Sequence, residues 1–187
     1  MNNPIYMSCL DIYTSNSKTS QLKKFQKGIE MVKFKIMPLM SWDIFMTYYQ
    51  GRIVETRKRV ELDQVLSFAR KFKWKNDLKK AFANNDYEAL ILTDKNQNII
   101  WVNDGFKEMT GYSKTFVLNK TPRFLQGKKT SRKTKSRIGQ NIAKNKPFKE
   151  IILNYKKDGT PYKCEVHVIP LYNETTTHFL AFEKQVV

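Results

Sequence analysis

The chain has 187 residues, room for one ordinary domain and an appendage of about half its size. Lys and Arg number 34 against 17 Asp and Glu. The net charge of +17 excludes an acidic solubilising protein and favours an acidic or polyanionic partner: nucleic acid, anionic lipid or acidic protein.

Residues 1–38 are polar and basic and read as a loosely ordered leader. Met37, directly before Pro38 and a helix start, is a candidate initiation site. From 39 to 85 the chain reads as short helices. Ser41 is placed to cap the first, with Asp43 in its first turn. Trp42, Phe45, Met46 and Tyr49 fall at i, i+3, i+4 and i+7, one helical stripe, and Gly51 is a candidate stop. Leu62, Val65, Leu66, Ala69 and Phe72 repeat the pattern, and Trp74, Leu78 and Phe82 continue it. Helices apolar on one side need a partner surface.

From 86 the rhythm changes. Residues 88–94 and 99–103 read as strands around a turn. Residues 104–118 read as short helices broken at Gly111, and 130–145 as a basic helix with Ile138 and Ile142 inward. Strands follow over 148–156, 162–171 and 178–183, the first two joined by a Lys157-Asp158-Gly159 hairpin. Two strands, a helical middle and three closing strands predict an α+β fold with helices on one face of the sheet.

The residues Asn103, Phe106, Thr110, Gly111 and Tyr112 resemble the Asn-x-x-Phe-x-x-x-Thr-Gly-Tyr turn of PAS domains. Thr121-Pro122-Arg123-Phe124-Leu125-Gln126-Gly127 resembles the Asn-Cys-Arg-Phe-Leu-Gln-Gly signature of the LOV branch, the flavin-binding blue-light sensors. The stretch 153–162 resembles their hairpin. The resemblance spans about 88–184 and implies a PAS fold, a five-stranded antiparallel sheet with helices on one face, over residues 86–187. It implies FMN or another small ligand as cofactor.

The departures matter as much. The LOV cysteine that attacks flavin is Pro122 here, so adduct chemistry at that position is excluded. The resemblance places Arg123 on the ligand's phosphate, Gln126 on its chain and phosphate, and Asn154 on the flavin pyrimidine edge. The second edge asparagine is Cys164, the last-strand glutamine is Glu183, and the second phosphate arginine falls at Gly139.

Alternation supports the placement independently. Tyr162, Cys164, Val166 and Val168 share one face; Asn154 shares its face with Ile152, and Glu183 with Phe179 and Ala181. These faces read as inward, so Asn154, Cys164 and Glu183 converge on the space between sheet and helices. A carboxylate there needs a partner, a proton or a polar ligand, unless it reaches water at the strand end. Ile151, Leu153 and Tyr155, and separately Leu180 and Phe182, form apolar outer faces that need their own cover. Trp42, Phe45 and Leu66 are expected to supply it on Leu153 or Phe182, in one chain or across a dimer.

Lys114 to Lys149 holds twelve Lys or Arg and no Asp or Glu. Arg132, Lys133, Ser136, Arg137, Gln140 and Lys144 are expected outward, as a solvated basic face. With no base-reading motif beside the charge, specific nucleic-acid recognition is not indicated. His167 is expected outward and His178 at a strand start, neither as a haem ligand. The two cysteines, Cys9 and Cys164, form no disulfide framework and suit a reducing cytosol. Cys164 reads as a small core residue. No apolar run approaches the ~20 residues of a membrane span.

The sequence therefore predicts a non-catalytic cytoplasmic sensor or interaction module. Its expected partner is a second copy or a signalling protein, and with no effector domain expected after the last strand its output is expected to run through a partner or the N-terminal helices. The alternatives are a basic scaffold for an acidic partner or nucleic acid, and a small flavin-dependent oxidoreductase.

Overall fold

The structure, a computed structural model, describes residues 42–186, without the side chains of Asp43, Ile44, Phe45 and Gln50. The expected leader, with Cys9 and Met37, and the Ser41 cap lie outside the described residues. The chain divides into two compact units, Met1–Ile53 and Val54–Val187.

Helix α1 runs over Trp42–Phe72 and α2 over Leu78–Asn84. The expected stop at Gly51 does not occur; the helix passes through it. A glycine inside a helix costs about 1 kcal/mol relative to alanine, too little to end a helix anchored further on by buried Val65. Asp77 caps α2, its side chain accepting from the Lys80 N–H at 3.0 Å.

Strands β1 (Ala89–Asp94) and β2 (Ile99–Val102) form a hairpin. Helices α3 (Asp104–Thr110) and α4 (Lys114–Val117) follow, then a 3₁₀ turn over Pro122–Leu125 and helix α5 over Arg132–Ala143. Gly111 ends α3 in the left-handed region, φ 78°, as its position in the sequence predicts. Helix α5 starts later than expected because the Thr130 hydroxyl is engaged elsewhere, donating to the Leu153 carbonyl at 2.7 Å; Ser131 caps the helix instead.

Strands β3 (Phe148–Tyr155), β4 (Pro161–Tyr172) and β5 (Thr176–Val186) complete an antiparallel sheet of order β2-β1-β5-β4-β3. The last strand is longer than expected by three residues beyond Glu183. The first and last strands therefore lie side by side at the centre, where Ala89 pairs with Glu183 and Ile91 with Ala181.

The two faces of the sheet carry separate cores. On one, Ile91, Ile152, Cys164, Val166, Val168 and Phe179 pack with Phe106, Val117 and Leu125, and Ile138 and Ile142 of α5 close on them as expected. On the other, Leu90, Leu92, Leu180 and Phe182 pack under Val65, Trp74 and Leu78, with Leu66 at the edge. Burying each such side chain contributes about 2 kcal/mol. Leu66 thus covers the Phe182 face as expected; Trp42 belongs to the other unit, and the Phe45 side chain lies outside the described residues. Ile151 on β3 is 52% exposed, so the cover stops short of that strand's outer face. On this face the helices pack over Leu90 and Leu92 of β1, Leu180 and Phe182 of β5 and Leu171 at the end of β4, whereas β3 is the edge strand.

Candidate functional site

Between the sheet and α5 lies a cavity of about 540 Å³, within the range of small-molecule sites. Its apolar walls are Ile91, Leu125, Ile138, Ile142, Ile152, Val166, Val168 and Phe179. Four of the five residues singled out in the sequence line it: Arg123, Gln126, Asn154 and Glu183. Pro122 and Gly139 line it as well. The fifth, Cys164, is fully buried but is not in the wall; its Sγ lies 3.7 Å from Glu183 Oε2.

Local structure fixes these positions. Pro122 opens the 3₁₀ turn, where its missing N–H costs nothing, and the Gln126 N–H closes it on the Arg123 carbonyl at 3.0 Å. The next residue must be glycine. A Cβ on Gly127 would stand 2.4 Å from the Tyr155 ring. The loop is then tied to β3: Gly127 N–H donates to the Thr130 hydroxyl, and Lys129 N–H to the Tyr155 hydroxyl. Gln126 is thereby set beside the strand that carries Asn154.

Asn154 and Glu183 are each 4% exposed. The Asn154 side chain lines the cavity. Across the ladder its register partner is Tyr162, whose hydroxyl is buried without a hydrogen bond. The two side chains are neighbours across the strand pair, and burial has the larger effect on the Tyr162 hydroxyl.

Burial raises the Glu183 carboxyl from 4.5 to about 7, opposed only weakly by the Cys164 contact. Glu183 is not at the strand end, because β5 runs on to Val186, and it is buried in the cavity wall. Burial also pushes the Tyr162 hydroxyl and the Cys164 thiol upward, so both stay neutral. Cys164 is thus an inert core thiol rather than a reactive one.

Sequence reasoning missed three polar wall residues: Thr93, Gln97 and Lys135. Gln97 sits in the β1–β2 turn at φ 68°, and no pattern in the sequence aims it inward. Ser136 also lines the cavity despite its expected outward place, since the wall runs along the α5 edge. Arg137 does point away, to Glu150 at 2.7 Å. Of the histidines, His167 contacts Asn85, and His178 is buried against Phe72 and Trp74. Burial lowers the pKa of both. No cluster of metal-ligating side chains occurs among the described residues.

A second buried constellation was not foreseen. Glu61 of α1 accepts from the Tyr87 hydroxyl and from Asn103 Nδ2, both at 2.9 Å. Asn103 Oδ1 in turn accepts from the Leu90 and Phe106 N–H groups. The Asn-x-x-Phe turn is thereby joined to the helix covering the opposite sheet face.

The family model for the PAS domain matches residues 88–184, just over half of the chain, and the chain belongs to that family. It is similar to a blue-light photoreceptor of Listeria monocytogenes, 34% identical over 101 residues, which are 52% of this chain and 40% of that protein. It is also similar to the bacterioopsin transcriptional activator of Halobacterium salinarum, 33% identical over 50% of this chain and 14% of that one. The chain thus spans less than half the length of these curated relatives. Among solved structures, it resembles the LOV domain of a blue-light activated histidine kinase from Erythrobacter litoralis. That likeness has a TM-score of 0.51 and 29% identity over 55% of this chain and 98% of that one. The light-state LOV domain of the photoreceptor Aureochrome1 gives a TM-score of 0.52 and 27% identity over 54% and 83%. The fold is the PAS/LOV fold. Among the described residues no helix is long and apolar enough to cross a membrane.

Proposed function

We propose that the chain is a non-catalytic, cytoplasmic sensor and interaction module for signal transduction. Its cavity takes a small ligand with a polar inner end, and FMN is the ligand that the likeness to LOV domains supports. The observation that carries this reading is the cavity itself, of about 540 Å³, apolar-walled and lined by Arg123, Gln126, Asn154 and Glu183. A ligand entering that cavity would have to pair its own N–H and C=O groups with the Asn154 amide, since a buried polar group left unpaired costs about 1–3 kcal/mol. Arg123, Gln126 and Glu183 supply further contacts, and Cys164 acts through Glu183. Residues 86–187 hold the ligand, and the helices within 39–85 pass its state to a second copy or a signalling partner. Within the described cavity there is no nucleophile at position 122, so bound flavin forms no cysteinyl adduct.

The test is the absorption spectrum of the purified chain, followed by FMN titration and illumination. Stoichiometric FMN uptake, weakened by Asn154→Leu, without adduct formation in blue light, supports the reading. A chain that ignores FMN removes that ligand; formation of a thiol adduct removes the account of Pro122 and Cys164.

A further inference from the structure

The stretch from Lys114 to Lys149, with its twelve Lys or Arg and no acid, begins on a loop whose surface is partly apolar. Val117 of α4 is fully buried, and its neighbours Phe116 and Leu118 face outward, 45% and 40% exposed. The loop that carries them is fixed to β2. The Asn119 N–H donates to the Ile99 carbonyl and the Ile99 N–H to the Lys120 carbonyl, both at 2.9 Å. Folding also gathers aromatic rings that the sequence separates. Phe116 stacks on Tyr112 with centroids 5.1 Å apart and meets Phe124 edge-on at 5.9 Å. Lys120 Nζ lies 3.2 Å from the centroid of the Phe116 ring. Lys114 pairs with Asp104, but Lys120 and Arg123 are exposed and neither is in an ion pair among the described residues.

Its charge calls for an anionic partner, and the ring contacts select the kind. A nucleic-acid base binds by stacking on an open aromatic face. Phe116 already has a stacked ring and an ammonium against it, so it offers a base no platform. A lipid surface needs no such platform: apolar tips enter the boundary between headgroups and acyl chains, while flanking Lys and Arg meet anionic headgroups. We infer that the loop from α4 to the 3₁₀ turn docks on an anionic lipid surface, with Phe116 and Leu118 entering it and Lys120 and Arg123 meeting its headgroups. The contact is peripheral, and it does not depend on what the cavity holds.

The experiment measures co-sedimentation of the full chain with vesicles of phosphatidylcholine alone and mixed with phosphatidylserine, at physiological salt. Circular dichroism and thermal melting check that each variant is folded. The chain should bind the mixed vesicles and not the neutral ones. Lys120→Gln should weaken binding about fivefold, the contribution of one cation at an anionic surface. Leu118→Ser, which leaves the charge unchanged, should weaken it about tenfold. Leu118→Trp should gain fluorescence, relative to the parent, that brominated acyl chains quench. Failure to bind the mixed vesicles overturns the inference. So does binding that Leu118→Ser leaves unchanged, or a Leu118→Trp signal that brominated chains do not quench, since both mean adsorption by net charge alone. Single-stranded DNA is titrated in parallel. DNA affinity that falls in Phe116→Ser, with vesicle affinity unchanged, overturns the lipid surface in favour of a nucleic-acid one.

Discussion

Replacing Glu183 with Gln tests the electrostatics of the cavity directly. Burial holds this carboxyl at about 7, against 4.5 in the exposed chain. The native state therefore binds the extra proton between those two values, and stability falls as pH rises through that window. Below about 4.5 the side chain is neutral in both states, and its full contribution is present. Above 7 that contribution is gone. The gap, at about 1.4 kcal/mol per pH unit, amounts to about 3 kcal/mol. Glutamine has the same shape and no charge, so the variant should match the parent near pH 4 and exceed it by up to about 3 kcal/mol at pH 8. No group beside the carboxyl compensates its charge: the Cys164 thiol and the Tyr162 hydroxyl are neutral, and Arg123 and Lys135 lie toward solvent. Urea unfolding followed by tryptophan fluorescence, from pH 4 to pH 8.5, gives both curves. Parallel curves across that range would refute the reasoning, and would mean that the carboxyl finds a compensating partner or water on ionising.

Glu61→Ala should destabilise the fold by about 3 kcal/mol in urea unfolding, because it strands the buried Tyr87 hydroxyl and the Asn103 amide; Glu61→Gln, which keeps an acceptor, should cost less. Gly139→Arg places a second guanidinium over open space at the cavity mouth and should raise FMN affinity about tenfold in a fluorescence titration without lowering the melting temperature. A fragment of residues 86–187 uncovers Leu90, Leu92, Leu180 and Phe182 and should aggregate in light scattering; a soluble monomer of unchanged stability would show that α1 and α2 are not the needed cover.

What the sequence disclosed depended on the reach of each signal. Strand alternation placed Asn154, Cys164 and Glu183 on the inner face, because a period of two survives any packing. Helix ends were less legible. Gly51 looked like a stop because local propensity is all that a sequence displays, while Val65, fourteen residues on, anchors the helix through tertiary contacts. Lys135 was invisible for a related reason: with Ile138 and Ile142 inward, its azimuth lies near the helix edge, and only the position of the opposite wall decides whether an edge residue faces a cavity or solvent. Glu61 is the furthest case. It is flanked by Val60 and Leu62 and stands one turn before Val65, but a lone carboxylate on an apolar stripe does not by itself name its partners. Its burial arises because Tyr87 and Asn103, 26 and 42 residues away, both direct hydrogen-bond donors at it. A carboxylate held by two such donors cannot shift without stranding one of them. The covering helix and the turn that opens α3 therefore move together or break contact, which physically links α1 to the turn after β2.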